Sequence, residues 1–264
     1  IMLFATPVIA GDFKWDLVLN WARNVNEVIA LEEGVENIQL ARLQSGVTIN
    51  ARVGEPYGTI QGADYVYQDG QKVVKENGYY LKSTTSDIVL GNVNPDFNAG
   101  LLNKLSYKDL SFSFLIDWQK GGSVFSLDQY YGLGTGLYEE TDSINDLGNP
   151  VRNSLDDGGG LILEGVVNVG TEENPVYETN TTRVAGDDYR VFGWSRNPNS
   201  AFVYDANYIK LREIVLTYSL PAKTLEKTAL NGVSFSLVAN NVWIISKELP
   251  HADPEASQGG GNVQ

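Results

Sequence analysis

Read at a period of two, LSFSFLIDWQ, residues 110–119, separates into two faces. Leu110, Phe112, Phe114, Ile116 and Trp118 lie on one, and Ser111, Ser113, Leu115, Asp117 and Gln119 on the other, as in a strand with one apolar and one polar side. FKWDLVLNW at 13–21 repeats the pattern, with Phe13, Trp15, Leu17, Leu19 and Trp21 against Lys14, Asp16, Val18 and Asn20. REIVLTYSLP sets Ile214, Leu216, Tyr218 and Leu220 against Glu213, Val215, Thr217 and Ser219. It stops at Pro221, which has no N–H to give a ladder. VSFSLVANNVW sets Val233, Phe235, Leu237 and Ala239 against Ser234, Ser236, Val238 and Asn240. Trp243 follows a break at Asn240-Asn241 that reads as a bulge or as the upper rim.

If Lys108-Asp109 is a two-residue turn, positions whose numbers add to 217 face each other across a hairpin. Tyr107 then meets Leu110, Leu105 meets Phe112, Leu101 meets Ile116 and Ala99 meets Trp118, with Asn103 opposite Phe114 the one misfit. On the other side Ser106 meets Ser111, Lys104 meets Ser113 and Asn98 meets Gln119. The hairpin therefore has a dry wall and a wet wall. Links between the patterned segments alternate in length: Gly11-Asp12, Lys108-Asp109 and 221–232 are short, while 23–94 and 121–206 are long.

Such a hairpin suits two media. A sandwich turns its apolar face to a core, whereas an outer-membrane barrel turns it to lipid and keeps a wet lumen inside. Each stripe spans about the 9 to 11 residues of a tilted membrane strand. Most carry Trp, Tyr or Phe near an end, as interfacial girdles do, and all the long links fall on one side, as extracellular loops do. These features favour an all-β antiparallel transmembrane barrel portion with long extracellular loops. No run of eighteen apolar residues offers a helical span, and no repeat of fixed period is present.

Composition narrows the chemistry. The 264 residues contain no Cys and one His, His251, which removes disulfides, thiolate sites and His-cluster zinc. The formal charge of -14 argues against nucleic acid. Within 121–206 there are 14 Asp and Glu against 4 Arg and no Lys, a net of -10. GLGTG at 132–136 lacks the spacing and strand-to-helix setting of a phosphate cradle. SLDDGGG and GDDYR could offer carboxylates to Ca²⁺ but lack the EF-hand register, so Ca²⁺ in the acidic loops is a side expectation and no other cofactor is indicated. Adjacent acids such as Glu139-Glu140 and Glu172-Glu173 sit in Gly-rich loops and do not suggest the paired carboxyls of a glycosidase. Asn180-Thr181-Thr182 fits a glycosylation acceptor, which matters only in a eukaryotic secretory setting. Tyr130, Tyr131, Tyr138, Tyr189 and Trp194 could stack on sugars, anchor a partner or pack within a loop. Asp16, Asn20, Asp117, Gln119 and Asn240, on the polar side, could line a substrate path or a plain water-filled wall.

Several stretches, taken in order, resemble the SusC/RagA-type TonB-dependent transporters of the Bacteroidetes outer membrane. They are GDFKWDLVLNWARNVNEVIAL (11–31), VGEPYGTIQGADY (53–65), GNVNPDFNAGLLNKLSYKDLSFSFLIDWQKGG (91–122), DANYIKLREIVLTYSLP (205–221), and VSFSLVANNVWIIS with ADPEAS (233–257). The resemblance implies a barrel in the bacterial outer membrane, filled by an N-terminal plug, energised through TonB and capped by a SusD-like surface lipoprotein. It implies import of oligosaccharides or, less often, peptides, and no enzymatic activity. It makes 1–9, 13–21, 97–107, 110–118, 208–220 and 233–243 successive strands, with all of 1–264 the C-terminal part of the barrel. The plug, the TonB-contact segment, the earlier strands and a final aromatic-ended strand would lie outside this chain, whose end at Gln264 reads as a loop. The rival expectation is a soluble secreted β-sandwich that binds or degrades glycans.

Overall fold

The computed structural model describes residues 1–226 and 228–255. Ala256 and Ser257 of ADPEAS, and the chain end at Gln264, lie outside the described residues. The chain forms two compact units: Ile1–Val25, Asn94–Gly122 and Asp205–Leu249 make one, and Asn26–Val93, Ser123–Tyr204 and the residues from Pro250 make the other. Where the sequence pattern suggests one barrel portion joined by long links, the links fold as a unit of their own.

The first unit is one sheet of six strands: β1 (Met2–Ala10), β2 (Phe13–Ala22), β3 (Pro95–Tyr107), β4 (Leu110–Gly121), β5 (Tyr208–Ser219) and β6 (Ser234–Lys247). They lie side by side in chain order with every neighbour antiparallel, an up-and-down meander. The hairpin register read from sequence is the observed one: Tyr107 faces Leu110, Leu105 faces Phe112, Leu101 faces Ile116 and Ala99 faces Trp118. Lys108 takes φ +52 to close that turn, a left-handed conformation that a non-glycine residue adopts at some strain. Strand ends extend past the sequence estimate, most of all β6, which runs on to Lys247.

Pairing aligns the apolar stripes into continuous rows. One row, at the short-turn end, reads Phe13, Tyr107, Leu110, Tyr218 and Phe235 across five strands. The next reads Trp15, Leu105, Phe112, Leu216 and Leu237. At the far end Trp21, Phe97 and Trp118 cluster, with ring centroids 6.3 and 4.9 Å apart. Two aromatic levels thus bracket an apolar band. The misfit Asn103 has a partner in that band: the Trp15 indole N–H donates to its Oδ1 at 3.2 Å, and the amide is only 6% exposed. A polar atom inside an apolar row persists because it is hydrogen-bonded.

Register shifts interrupt the side-chain alternation, three of them near the middle of strands. β1 skips Thr6 and Pro7 opposite β2, which places proline where no ladder N–H is required. Arg212 is the extra residue between Leu211, which faces Ile116, and Glu213, which faces Leu115. On β6 Asn241 has φ +51 and the register shifts between Asn240 and Trp243, so the Asn-Asn break is a bulge within a longer strand.

In the second unit, Asn37–Arg42, Thr48–Arg52, Thr59–Gly62 and Ile88–Asn92 make an antiparallel sheet. A second sheet joins Tyr67–Gln68, Gln71–Val74, Val166–Asn168 and Tyr177–Thr179. The helix α1 (Leu127–Gly132) starts at Ser126, whose hydroxyl accepts from the Gln129 N–H and satisfies a helix-end donor. Apolar clusters hold this unit, one around Leu43, Val47, Ile60, Phe125 and Phe202, another around Leu163, Val184 and Val191.

Candidate functional site

The polar face of the six-stranded sheet is built by the same alternation that makes the apolar one. Its rows are Lys14, Ser106, Ser111, Thr217 and Ser236, then Asp16, Lys104, Ser113, Val215 and Val238, then Val18, Leu102, Leu115, Glu213 and Asn240. Farther along come Asn20, Gly100, Asp117 and Lys210, and finally Ala22, Asn98, Gln119, Tyr208 and Lys247. The five residues expected on this wall are all on it, at different levels.

Asn20 and Asp117 line one hollow of about 470 Å³ with Asn98 and Gly100 between them. Gly100 stands between them in the same row without a side chain of its own. Gln119 stands one level farther on and donates from Nε2 to the Ala206 carbonyl at 3.0 Å. Asp16 is nearer the short-turn end, taking a hydrogen bond from Thr6 at 2.7 Å and an ion pair from Lys14 at 2.8 Å. Asn240 is exposed on β6, opposite Glu213 and apart from that hollow.

Sequence patterning missed the charge that organises this wall. Asp117 accepts from Arg212 Nε at 3.0 Å and also pairs with its Nη2, while the Tyr208 hydroxyl reaches the same carboxylate oxygen at 3.4 Å. Arg212 Nη1 donates to Asn241 Oδ1 at 3.2 Å, so the bulge residues of β5 and β6 meet. The signal was present in the chain: apolar positions run odd at Ile209 and Leu211 and even from Ile214, and that phase slip marks the bulge that turns Arg212 toward Asp117.

In the second unit the aromatic residues separate into distinct settings. Tyr130, on α1, is 7% exposed and packs edge-on against Phe202 at 5.1 Å and Phe125 at 5.7 Å. Burial pushes its hydroxyl up, with a Ser45 hydrogen bond pulling the other way. Trp194 stacks on it at 5.9 Å and 14° and is 49% exposed, so Tyr130 backs the ring that faces outward. Tyr131 stands edge-on to Tyr130 at 5.0 Å, its hydroxyl bonded to the Gln44 amide. Tyr189 is elsewhere, under the Arg152 guanidinium at 5.0 Å, and Tyr138 stacks on His251 at 4.2 Å.

The discarded GLGTG stretch has a steric role here. A Cβ on Gly193 would meet Gly134 Cα at 2.3 Å, so the loop carrying Trp194 lies this close to 132–136 only because residue 193 is glycine. Beside the Trp194 ring is a hollow of about 300 Å³ lined by Ser45, Lys82, Ser83, Tyr130, Asn197 and Asn199, among others. Lys82 is half-buried and donates to the Ser195 carbonyl at 3.4 Å. Burial pushes its ammonium below the usual lysine value, and Lys75 and Arg196 push it the same way. A second hollow, about 460 Å³, has Lys72 over the Tyr65 ring at 3.9 Å, with Glu164 in its wall.

Among the described residues no group of three or more His, Asp and Glu side chains is arranged to hold a metal. Two of the acids considered for Ca²⁺ have local partners: Asp157 accepts from Ser154, and Asp188 pairs with Arg190.

No family model matches the chain. It is 26% identical over 276 aligned residues to TonB-dependent receptor P3 of Formosa agariphila, covering 96% of this chain and 24% of that protein. It is 27% identical to TonB-dependent receptor P26 of the same organism, covering 98% of this chain and 25% of that one. The chain thus spans about a quarter of the length of these curated relatives. The structure of the RagAB peptide importer in its closed-closed state matches with a TM-score of 0.62 at 20% identity, over 99% of this chain and 27% of that one. The open-open state matches at 0.61 and 18%, over 99% of this chain and 26% of that one.

Proposed function

From the likeness to TonB-dependent receptors along nearly the whole chain, we propose that residues 1–264 supply barrel wall and surface loops to an outer-membrane, TonB-dependent importer of oligosaccharides. It would work with a SusD-like surface lipoprotein. The observation that carries this reading is the six-stranded meander itself. Its apolar face is bracketed by two aromatic levels and is uncovered, with Leu237 75% exposed, and its opposite face carries charged and amide side chains, Asp16, Lys104, Asp117, Gln119 and Glu213 among them. A sandwich would bury that apolar face, whereas lipid is its natural solvent. Oligosaccharide is preferred to peptide as cargo because Trp194 presents a flat, firmly backed ring, which suits the apolar face of a pyranose.

Transport is preferred to catalysis because Asp146, Asp157 and Asp188 of the acidic loops are tied to local partners and His251 is held between Glu140 and Tyr138. A hydrolase needs an acid and a base converging on one bond. Deleting the gene should abolish growth on, and uptake of, the cognate oligosaccharide while its extracellular breakdown continues, and the lipoprotein should co-purify with the transporter. Protease added to intact cells should cut within 121–206 and spare Lys108-Asp109. Loss of breakdown with normal uptake of pre-digested sugar would establish the enzyme reading instead, and uptake of peptides alone would replace the cargo.

A further inference from the structure

We infer that the hollow beside Trp194 is a subsite for an acidic sugar, whose ring lies on the exposed Trp194 face while its carboxylate or ester sulfate meets the Lys82 ammonium. This rests on the oligosaccharide reading above and specifies the charge of the cargo.

Three features converge. The first is a preorganised platform: Trp194 is held against Tyr130, which is itself fixed among Phe125 and Phe202, and the Gly134–Gly193 contact brings the loop in close. A ring immobilised before binding loses little entropy when a sugar stacks on it. The second is a cation without a counter-ion. Among the described residues the Lys82 ammonium forms no ion pair, its hydrogen bond to the Ser195 carbonyl is long at 3.4 Å, and the charges acting on it are those of Lys75 and Arg196, both positive. Arg196 has a buried Nε with no hydrogen-bond partner and lies over the Tyr79 ring at 4.1 Å. The neighbouring hollow differs in this respect, because Asp64 and Glu164 both act on its Lys72. In a chain of net charge -14, a cation whose acting charges are both positive is a local departure from the prevailing sign. An anion placed at Lys82 would offset the desolvation and repulsion that now disfavour its charge.

The third feature is that the other polar groups of the hollow are already committed. Asn197 gives its amide to the Val191 and Gly193 carbonyls and accepts from the Tyr65 hydroxyl. Asn199 accepts from the Ala63 N–H and donates to the Ser45 carbonyl. A peptide read through its backbone needs an open strand edge or free main-chain groups, and this wall leaves chiefly an aromatic face and an ammonium. A volume of about 300 Å³ is at the small end of ligand sites and fits a single ring with its anionic substituent.

The test uses the full-length transporter in detergent, with affinities measured against a panel of neutral, uronate and sulfated oligosaccharides, the methyl esters of the uronates, and tripeptides. Wild type should bind an acidic glycan, and uronate and sulfate arms would separate the two sources of the anion. Lys82→Met should weaken that binding about tenfold, bringing it to the level of the methyl ester on wild type. Lys82→Arg should retain it, and Trp194→Ala should weaken acidic and neutral forms alike. Protease resistance of each variant checks that it folds, and the Arg variant keeps the charge argument testable if the Met variant does not. Acidic glycan binding unchanged in Lys82→Met, binding of neutral glycans only, or Lys82-dependent binding of tripeptides would each overturn the subsite. If neutral oligosaccharides are bound and imported equally by wild type and Lys82→Met, the subsite fails while the importer reading stands. If no oligosaccharide is bound or imported, the importer reading itself fails.

Discussion

Placing arginine on either side of β4 discriminates between a lipid-facing and a lumen-facing surface. Strand residues rise about 3.3 Å, and at a tilt near 40° each advances about 2.5 Å along the membrane normal. Phe114 is four residues beyond Leu110, which lies in the row at the short-turn end; it therefore sits about 10 Å inside an apolar band about 25 Å tall, close to its centre. Arginine at that depth costs about 2 to 4 kcal/mol, which corresponds to a folding equilibrium roughly 30- to 700-fold less favourable. Leu237 is in the row of Phe112, about 5 Å inside the band, and Leu237→Arg should cost less. Ser113→Arg projects to the polar face opposite Lys104, where like charge across strands costs below about 1 kcal/mol. The assay is refolding of the full-length transporter into lipid vesicles across a denaturant series, read by tryptophan fluorescence. The expected order of destabilisation is Phe114→Arg, then Leu237→Arg, then Ser113→Arg. Equal shifts for Phe114→Arg and Ser113→Arg would refute the assignment of faces.

Other consequences follow from particular contacts. Asn103→Leu should destabilise by about 1 to 3 kcal/mol because it strands the Trp15 N–H, and Trp15→Phe combined with Asn103→Leu should recover most of the loss in a double-mutant cycle; strictly additive losses would mean the pair does not interact. Gly193→Ala must separate its loop from Gly134 at about 1 to 3 kcal/mol, and should redshift Trp194 emission; an unchanged spectrum and protease pattern would count against the close approach. The Arg183 guanidinium holds the Asp146 carboxyl below the usual carboxylate value. A depressed value means that this pair's support for the Leu161–Ile162 and Arg183–Val184 pairing is present above about pH 3.8 and fades as pH falls below it. Protection factors in that strand pair, with exchange rates corrected for their intrinsic pH dependence, should therefore fall as pH drops from about 4 toward 2 in wild type and change less in Asp146→Asn; identical profiles would exclude the linkage.

Strand alternation is written locally, and for that reason much of the sheet was legible in the chain. A period-two pattern assigns every residue of a strand to a face, and one turn fixes a hairpin register, so the Tyr107–Leu110 pairing and the polar placement of Asp16, Asn20, Asp117, Gln119 and Asn240 followed without coordinates. Alternation fails at bulges, where one extra residue exchanges the faces of all that follow. The Arg212 to Asp117 pair was therefore hidden although both residues lie in patterned segments. The aromatic loop residues show a second limit. Composition marked Tyr130, Tyr131, Tyr189 and Trp194 equally, yet only packing makes Tyr130 a buried support, Trp194 an exposed ring and Tyr189 a ring beneath the Arg152 guanidinium. The long links carry no regular period, and their positions are set by contacts between residues distant in sequence, such as Ala63 with Asn199 and Gly134 with Gly193. Sequence alone determined which residues of each unbroken strand segment share a face, because covalent geometry imposes that alternation. Tertiary structure alone decided which polar groups meet, because bulge positions and loop contacts depend on strands and turns far apart along the chain.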